Sequence, residues 1–288
     1  MRAIYKHELS SHFTSLSGYV FGAFLLLFTG IYMLSYNLSM YYTNFEVVLG
    51  GMSFIFMVLV PILTMRVLAE ERRQKTDQLL YSLPISMTDV VLGKFFAMLT
   101  VFAIPMVIIC LYPLILSAYG NVHMPLAYGA IVGFFLLGAA LIAMGTFVSS
   151  VTENQAVSAG LCFVVMLINY FISSIASLIS ASAGASLGAV TVVVILVAVV
   201  VYLFTKNATV ALTVAVVAEA AALLVYMLKP ALYEGLMPNV LKALSLYERF
   251  YSLLNGVLDI TSIVYYISVT GAFLYLSVQS MEKRRWSE

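Results

Sequence analysis

Four groups of residues have types and spacings that could carry chemistry. His7-Glu-Leu-Ser-Ser-His12 comes close to the zinc-binding pattern H-E-x-x-H. Its second histidine falls at i+5, about 140° round a helix from the first, so the two rings cannot share one ion and no metal site is assigned. Gly184-Ala-Ser-Leu-Gly188 matches G-x-S-x-G, and His123 with Asp259 could complete a serine-hydrolase set around Ser186. A nucleophile elbow needs a strand-turn-helix context, whereas this pattern sits in an Ala/Ser/Gly-rich turn between apolar segments. Gly93-Lys94 ends as a Walker A loop ends, but Phe95 stands where Ser or Thr would follow and Thr88 where the leading Gly would be. The chain therefore has no nucleotide site of its own and cannot drive transport with ATP unaided. Glu219 is the ionisable residue placed well inside an apolar run. A carboxylate there is costly unless it pairs or stays protonated, which points to proton coupling, to substrate contact, or to a watery cavity.

The elements that would hold these residues are membrane helices. The 288 residues are 63% hydrophobic and 9% charged, far from the roughly 25% charged of soluble domains. Apolar runs of about 20 residues match the bilayer-crossing length of a helix, and the period-two alternation of barrel strands is missing. Cys110 and Cys162 both lie inside apolar runs, which argues against a disulfide or a zinc site. Arg2 and Lys6 precede a first apolar run that lacks a small-residue cleavage site, so the expectation is a retained first span behind an interfacial helix at 1–17.

The runs predict spans near 18–36, 47–66, 92–118, 126–148, 156–179, 187–204, 208–228 and 260–280. The Ala/Val-rich pair at 183–228 reads as a hairpin, and 229–258 as an outer amphipathic segment with apolar residues at three- and four-residue steps. Gly18-x-x-x-Gly22 and Gly129-x-x-x-Gly133 suit close helix packing. Eight spans return both termini to one side. Arg2, Lys6, Arg66, Arg72, Arg73, Lys75, Lys94, Lys206, Lys283, Arg284 and Arg285 collect there, eleven against Lys229, Lys242 and Arg249 on the other. By the positive-inside rule that side is cytoplasmic.

One charged stretch, 66–86, interrupts the apolar chain between the second and third spans. As a helix it places Leu68, Arg72, Thr76, Leu79 and Leu83 on one flank and Glu70, Glu71, Arg73, Gln74, Lys75 and Asp77 on the other. Pro84 ends it, and Ser86-Met-Thr-Asp89 has the form of a capping box for the next helix. Such a short amphipathic helix either lies on the interface or docks into a partner's groove.

Four blocks resemble the permease subunits of ABC-2-type ATP-binding-cassette exporters, in particular the gliding-motility and copper-processing group. They are Glu8-Leu9 with Phe13-Thr-Ser15 and Tyr19-Val-Phe21; the run from Pro61 through Arg66, Ala69-Glu-Glu-Arg-Arg73, Thr76, Leu79-Leu80 and Leu83-Pro84 to Ser86; Leu92-Gly-Lys94; and Phe250, Gly256-Val257, Asp259, Tyr265-Tyr266, Ser268 and Arg284-Arg-Trp286. Lys75 stands where that family usually has Gly, and the hairpin is additional to the family's six-span core. The resemblance implies a multi-pass permease of a bacterial inner membrane, with cytoplasmic termini and no cofactor of its own. A separate cytoplasmic ATPase pair would bind ATP and Mg²⁺. A second copy or a homologous permease would complete the pathway. The stretch 66–86 would be the coupling helix, with Glu70, Glu71, Arg72 and Arg73 making rim contacts with the ATPase and Leu79, Leu80 and Leu83 filling its groove or packing on the spans; Thr76 and Pro84 belong to the same coupling set. The substrate would be lipophilic or amphipathic; nucleic acid is not an expected partner.

Overall fold

Inside a bilayer a backbone amide has no water to bond, so each apolar run closes its own hydrogen bonds as helix. The computed structural model of the chain describes residues 1–75, 85–256 and 259–285. Among these no strand occurs, and seven helical segments are long and apolar enough to cross a membrane: Ser17–Leu38, Phe45–Arg73, Met87–Ser117, Met124–Val151, Gln155–Leu178, Ala208–Leu228 and Ile260–Arg285. The sixth expected span, 187–204, coincides with the helix Ala183–Thr205, whose apolar stretch Ala183–Val199 is shorter. The protein is a polytopic all-α membrane protein.

Two compact units divide the chain: Met1–Asn169 together with Arg249–Glu288, and Tyr170–Glu248. The first unit opens with α1 (Arg2–Thr14), set off from α2 (Ser17–Met33) by Leu16 at a left-handed φ of 62°. The second span is built from α3 (Phe45–Met52), a 3₁₀ turn (Ser53–Ile55) and α4 (Phe56–Thr64). It breaks into turns at Met65–Leu68 before the short α5 (Ala69–Arg73). The next helix, α6 (Met87–Ile109), starts as its capping box predicts, with Ser86 Oγ accepting from the Asp89 amide at 3.2 Å. It yields through a turn at Cys110–Leu111 to α7 (Tyr112–Ser117), whose first turn holds Pro113, a position where its missing amide costs no helical bond. Next come α8 (Met124–Val151) and α9 (Gln155–Leu178), which passes into the second unit.

Aromatic rings fill the middle of the first unit. Phe56 meets Phe134 at 4.5 Å and Phe102 at 5.7 Å between centroids, and Phe21 and Phe250 close the cluster from either side. Small residues on α8 let these rings and the second span come near. A Cβ at Gly138 would collide with the Phe102 ring, and one at Gly145 would lie 2.5 Å from Thr64 Oγ1. Gly133 of the second G-x-x-x-G pattern faces Leu253 in the same way, with 3.0 Å left for a Cβ.

In the second unit, α10 (Ala183–Thr205) and α11 (Ala208–Leu228) form the predicted hairpin. Lys206 turns the chain at φ 50°, and Asn207 Oδ1 caps α11 by accepting from the Thr209 amide at 3.0 Å. The apolar window of α11 is not buried within the structure, which leaves it to lipid. Two amphipathic helices follow, α12 (Leu236–Leu244) and α13 (Leu246–Leu254), the latter passing into the first unit. There its Phe250 reaches Phe134 in the aromatic core. The last helix is α14 (Ile260–Arg285).

Candidate functional site

The break at Met65–Leu68 frees backbone groups that a continuous helix would have paired. Side chains from elsewhere meet three of them. The amides of Leu68 and Ala69 both donate to Ser149 Oγ on α8, at 3.1 Å each. The carbonyl of Val67 accepts from Lys94 Nζ on α6 at 2.9 Å.

Lys94 is the centre of this elbow. Its side chain is 2% exposed, and Nζ also donates to Glu8 on α1 and to Glu71 on α5, both at 2.7 Å. An ammonium has three protons, and all three are taken. The arrangement fastens α1, the elbow and the third span at one point.

Neighbouring groups brace the same point. Tyr5 Oη and Thr100 Oγ1 bond at 3.0 Å, holding α1 along α6, and a Cβ at Gly93 would lie 3.1 Å from Ile4. Arg72, buried, donates to the Thr152 carbonyl at the end of α8 at 3.4 Å. Glu153 pairs with Arg284, and Ser280 donates to the Ser150 carbonyl at 3.1 Å, which ties in the end of α14. Between α1 and the elbow lies a cavity of about 490 Å³, lined by Ser11, His12, Arg66, Glu70, Gln74 and the clasp itself. His12 bonds Ser17 Oγ through Nδ1 at 3.2 Å. Burial pushes its imidazole below the ordinary value; Glu8 opposes this and Lys94 reinforces it.

The four charged residues expected to face an ATPase therefore divide. Glu71 is held by Lys94 and Arg72 is buried, whereas Arg73 is exposed and Glu70 is half-buried with Gln74 Nε2 on its carboxylate at 3.2 Å. The outward rim consists of Glu70 and Arg73. Thr76, Leu79, Leu80, Leu83 and Pro84 lie outside the described residues. Lys75, just past the end of α5, has a left-handed φ of 57°, the conformation that favours glycine.

The match to known families can be set beside this geometry. Residues 10–190, more than half of the chain, match the family described as ABC-2 family transporter protein. The chain belongs to the ABC-2 family. No curated protein and no solved structure matches the chain. Lys94, Glu71 and Ser149 fall inside the matched region, Glu8 lies just before it, and most of the α10–α11 hairpin lies beyond it.

The other candidates resolve separately. Glu219 Oε1 accepts from Thr191 Oγ1 at 2.7 Å across the hairpin, while its Oε2 is buried with no hydrogen-bond partner among the described residues. Ser186 is buried in the first turn of α10, 3.5 Å from the Met237 amide. Asp259 accepts from the Thr261 amide at 2.9 Å and so caps α14. The Thr261 side-chain hydroxyl first, and this amide second, hold its carboxyl below the usual range. No strand leads into Ser186, so the nucleophile elbow required for a hydrolase is missing. Among the described residues no three His, Cys, Asp or Glu side chains are grouped to hold a metal.

Sequence reasoning missed Lys94 and Glu8 as a pair. They are 86 residues apart, beyond any local spacing rule. A usable signal was present: Lys94 is a lone cation inside an apolar run, and such a charge requires a partner.

Proposed function

We propose that this chain is the membrane-spanning permease subunit of an ATP-driven exporter, and that the elbow after the second span receives a separate cytoplasmic ATPase. The observation that carries the proposal is the clasp at Lys94, seen in a member of the ABC-2 family. It makes the elbow, α1 and the third span one mechanical piece, so a push on Glu70 and Arg73 tilts spans two and three together. The bias of eleven cations against three supports cytoplasmic termini in a bacterial inner membrane, and the second and fourth sequence blocks favour the gliding-motility and copper-processing group. ATP and Mg²⁺ belong on the ATPase. A second permease copy, or a homologue, completes the pathway, whose aromatic and apolar walls suit a lipophilic or amphipathic substrate.

Purification from native membranes tests this. An ATPase accompanies the wild type, and reversing both rim charges (Glu70→Arg with Arg73→Glu) weakens its retention while leaving the melting temperature unchanged. Absence of any ATPase from the wild-type preparation overturns the proposal. A second reading rests on the unpartnered Glu219 Oε2: proton-coupled transport through the hairpin. It predicts that Glu219→Gln flattens the pH profile of transport, and an unchanged profile removes it.

A further inference from the structure

Arg249 lies on α13, next to the Phe250 that enters the aromatic core. Its guanidinium carbon sits 4.5 Å from the centroid of the Tyr265 ring on α14. Its Nε is buried and has no hydrogen-bond acceptor among the described residues. Asp259, just ahead of α14, feels this charge through space but is engaged with Thr261, and the two form no ion pair. A half-buried guanidinium whose buried Nε has no acceptor is a costly feature, because desolvated charge is stable only when it is hydrogen-bonded.

Depth narrows what can supply the acceptor. Tyr265 is five residues into α14, about 8 Å along it, and Phe134, which Phe250 touches, is about 15 Å along α8. Helices of 26 and 28 residues overrun a hydrocarbon core of about 30 Å by a few ångströms at each end. The long side chain of Arg249 therefore reaches the boundary between acyl chains and head groups, where phosphate is the prevailing anion. The Tyr265 ring beneath the guanidinium carbon restrains the group, and a planar fork matches two phosphate oxygens better than a point charge does.

We propose that Arg249, oriented by Tyr265, is a phosphate-binding site at the end of the membrane opposite the Lys94 clasp. The bound group is a phosphate oxyanion, carried either by a lipid head group or by a free phosphate. The inference goes beyond the exporter proposal and does not depend on it, because binding is read on the permease without ATPase or ATP.

The test uses the full chain, delipidated in dodecyl maltoside micelles. Melting is followed as phosphatidylglycerol, a phosphate-free glycosyl diacylglycerol, or inorganic phosphate is added. Wild type gains about 5 °C with phosphatidylglycerol beyond the gain with the glycolipid, and Arg249→Gln loses that difference. Native mass spectrometry reads the same loss as a weakening of phosphatidylglycerol binding by about tenfold or more. A gain with inorganic phosphate that also needs Arg249 identifies free phosphate as the source; a gain with the lipid alone identifies the head group. Arg249→Lys keeps the charge and loses the fork, so it retains less than half of the gain and serves as the comparison should Arg249→Gln not fold. Equal gains in wild type and both variants, or no gain with either phosphate source, overturn the proposal.

Discussion

Replacing Lys94 by methionine removes the ammonium and keeps most of its volume. Glu8 and Glu71 are then left facing each other at no more than twice 2.7 Å, and the Val67 carbonyl loses its donor. Their side chains are 16% and 23% exposed, so water screens them only in part. Two like charges about 5 Å apart at an effective dielectric of about 20 repel by ~3 kcal/mol, and a lost buried hydrogen bond adds ~1 kcal/mol. The sum falls within the ~3–5 kcal/mol found when one member of a buried ion cluster is removed. For a chain of this size that lowers the melting temperature by about 10 °C. Intrinsic fluorescence melting in one fixed detergent measures it. Glu8→Gln and Glu71→Gln added to Lys94→Met abolish the repulsion and recover at least half of the loss. The reasoning is refuted if Lys94→Met melts within about 2 °C of wild type, or if the triple variant is no better than the single one.

Three further outcomes follow from neighbouring geometry. Lys75→Gly relieves a left-handed φ of 57° and stabilises by about 1 kcal/mol in the same melting assay, whereas Lys75→Ala does not; a loss on going to Gly contradicts the backbone assignment. Gly145→Ala drives a methyl into Thr64 and costs about 1–3 kcal/mol, and Thr64→Ala in the same chain restores part of it; additive losses would show that the two residues do not touch. His12 has a folded-state pKa below its unfolded value of about 6.5, so its contribution is complete above that value and is lost as pH falls below it. Hydrogen exchange in α1 therefore speeds up between about pH 6.5 and 5 beyond the intrinsic change, and His12→Gln removes the pH-dependent part; the same profile in both proteins refutes it.

The spans were legible because hydrophobic length decides them almost alone. The Ser86 cap was legible because capping is a three-residue rule, and it appears in the structure as written. The elbow was legible only as a charged interruption. Its internal wiring depends on Ser149 and Lys94, 81 and 27 residues away from the groups they satisfy, and amphipathic periodicity does not register such distances. Periodicity places Glu71 with the polar residues of a helical wheel and is blind to the buried Lys94 that its carboxylate meets. Lys75 was legible as an oddity without a cause until its φ supplied one. Phe250 shows a similar limit, since an amphipathic pattern does not reveal which ring meets Phe134.

The two amides of Leu68 and Ala69 that share Ser149 also bear on how the protein is made. The hydroxyl that completes them is encoded 81 residues later. At about 5–20 residues per second a ribosome needs roughly 4–16 s to cover that distance. During that interval the second and third spans can enter the bilayer, but the elbow between them has bare amides and an incomplete anchor. Insertion of α8 is therefore the step that sets the elbow, and a chain stalled before Ser149 would present an unfinished elbow to the quality-control proteases.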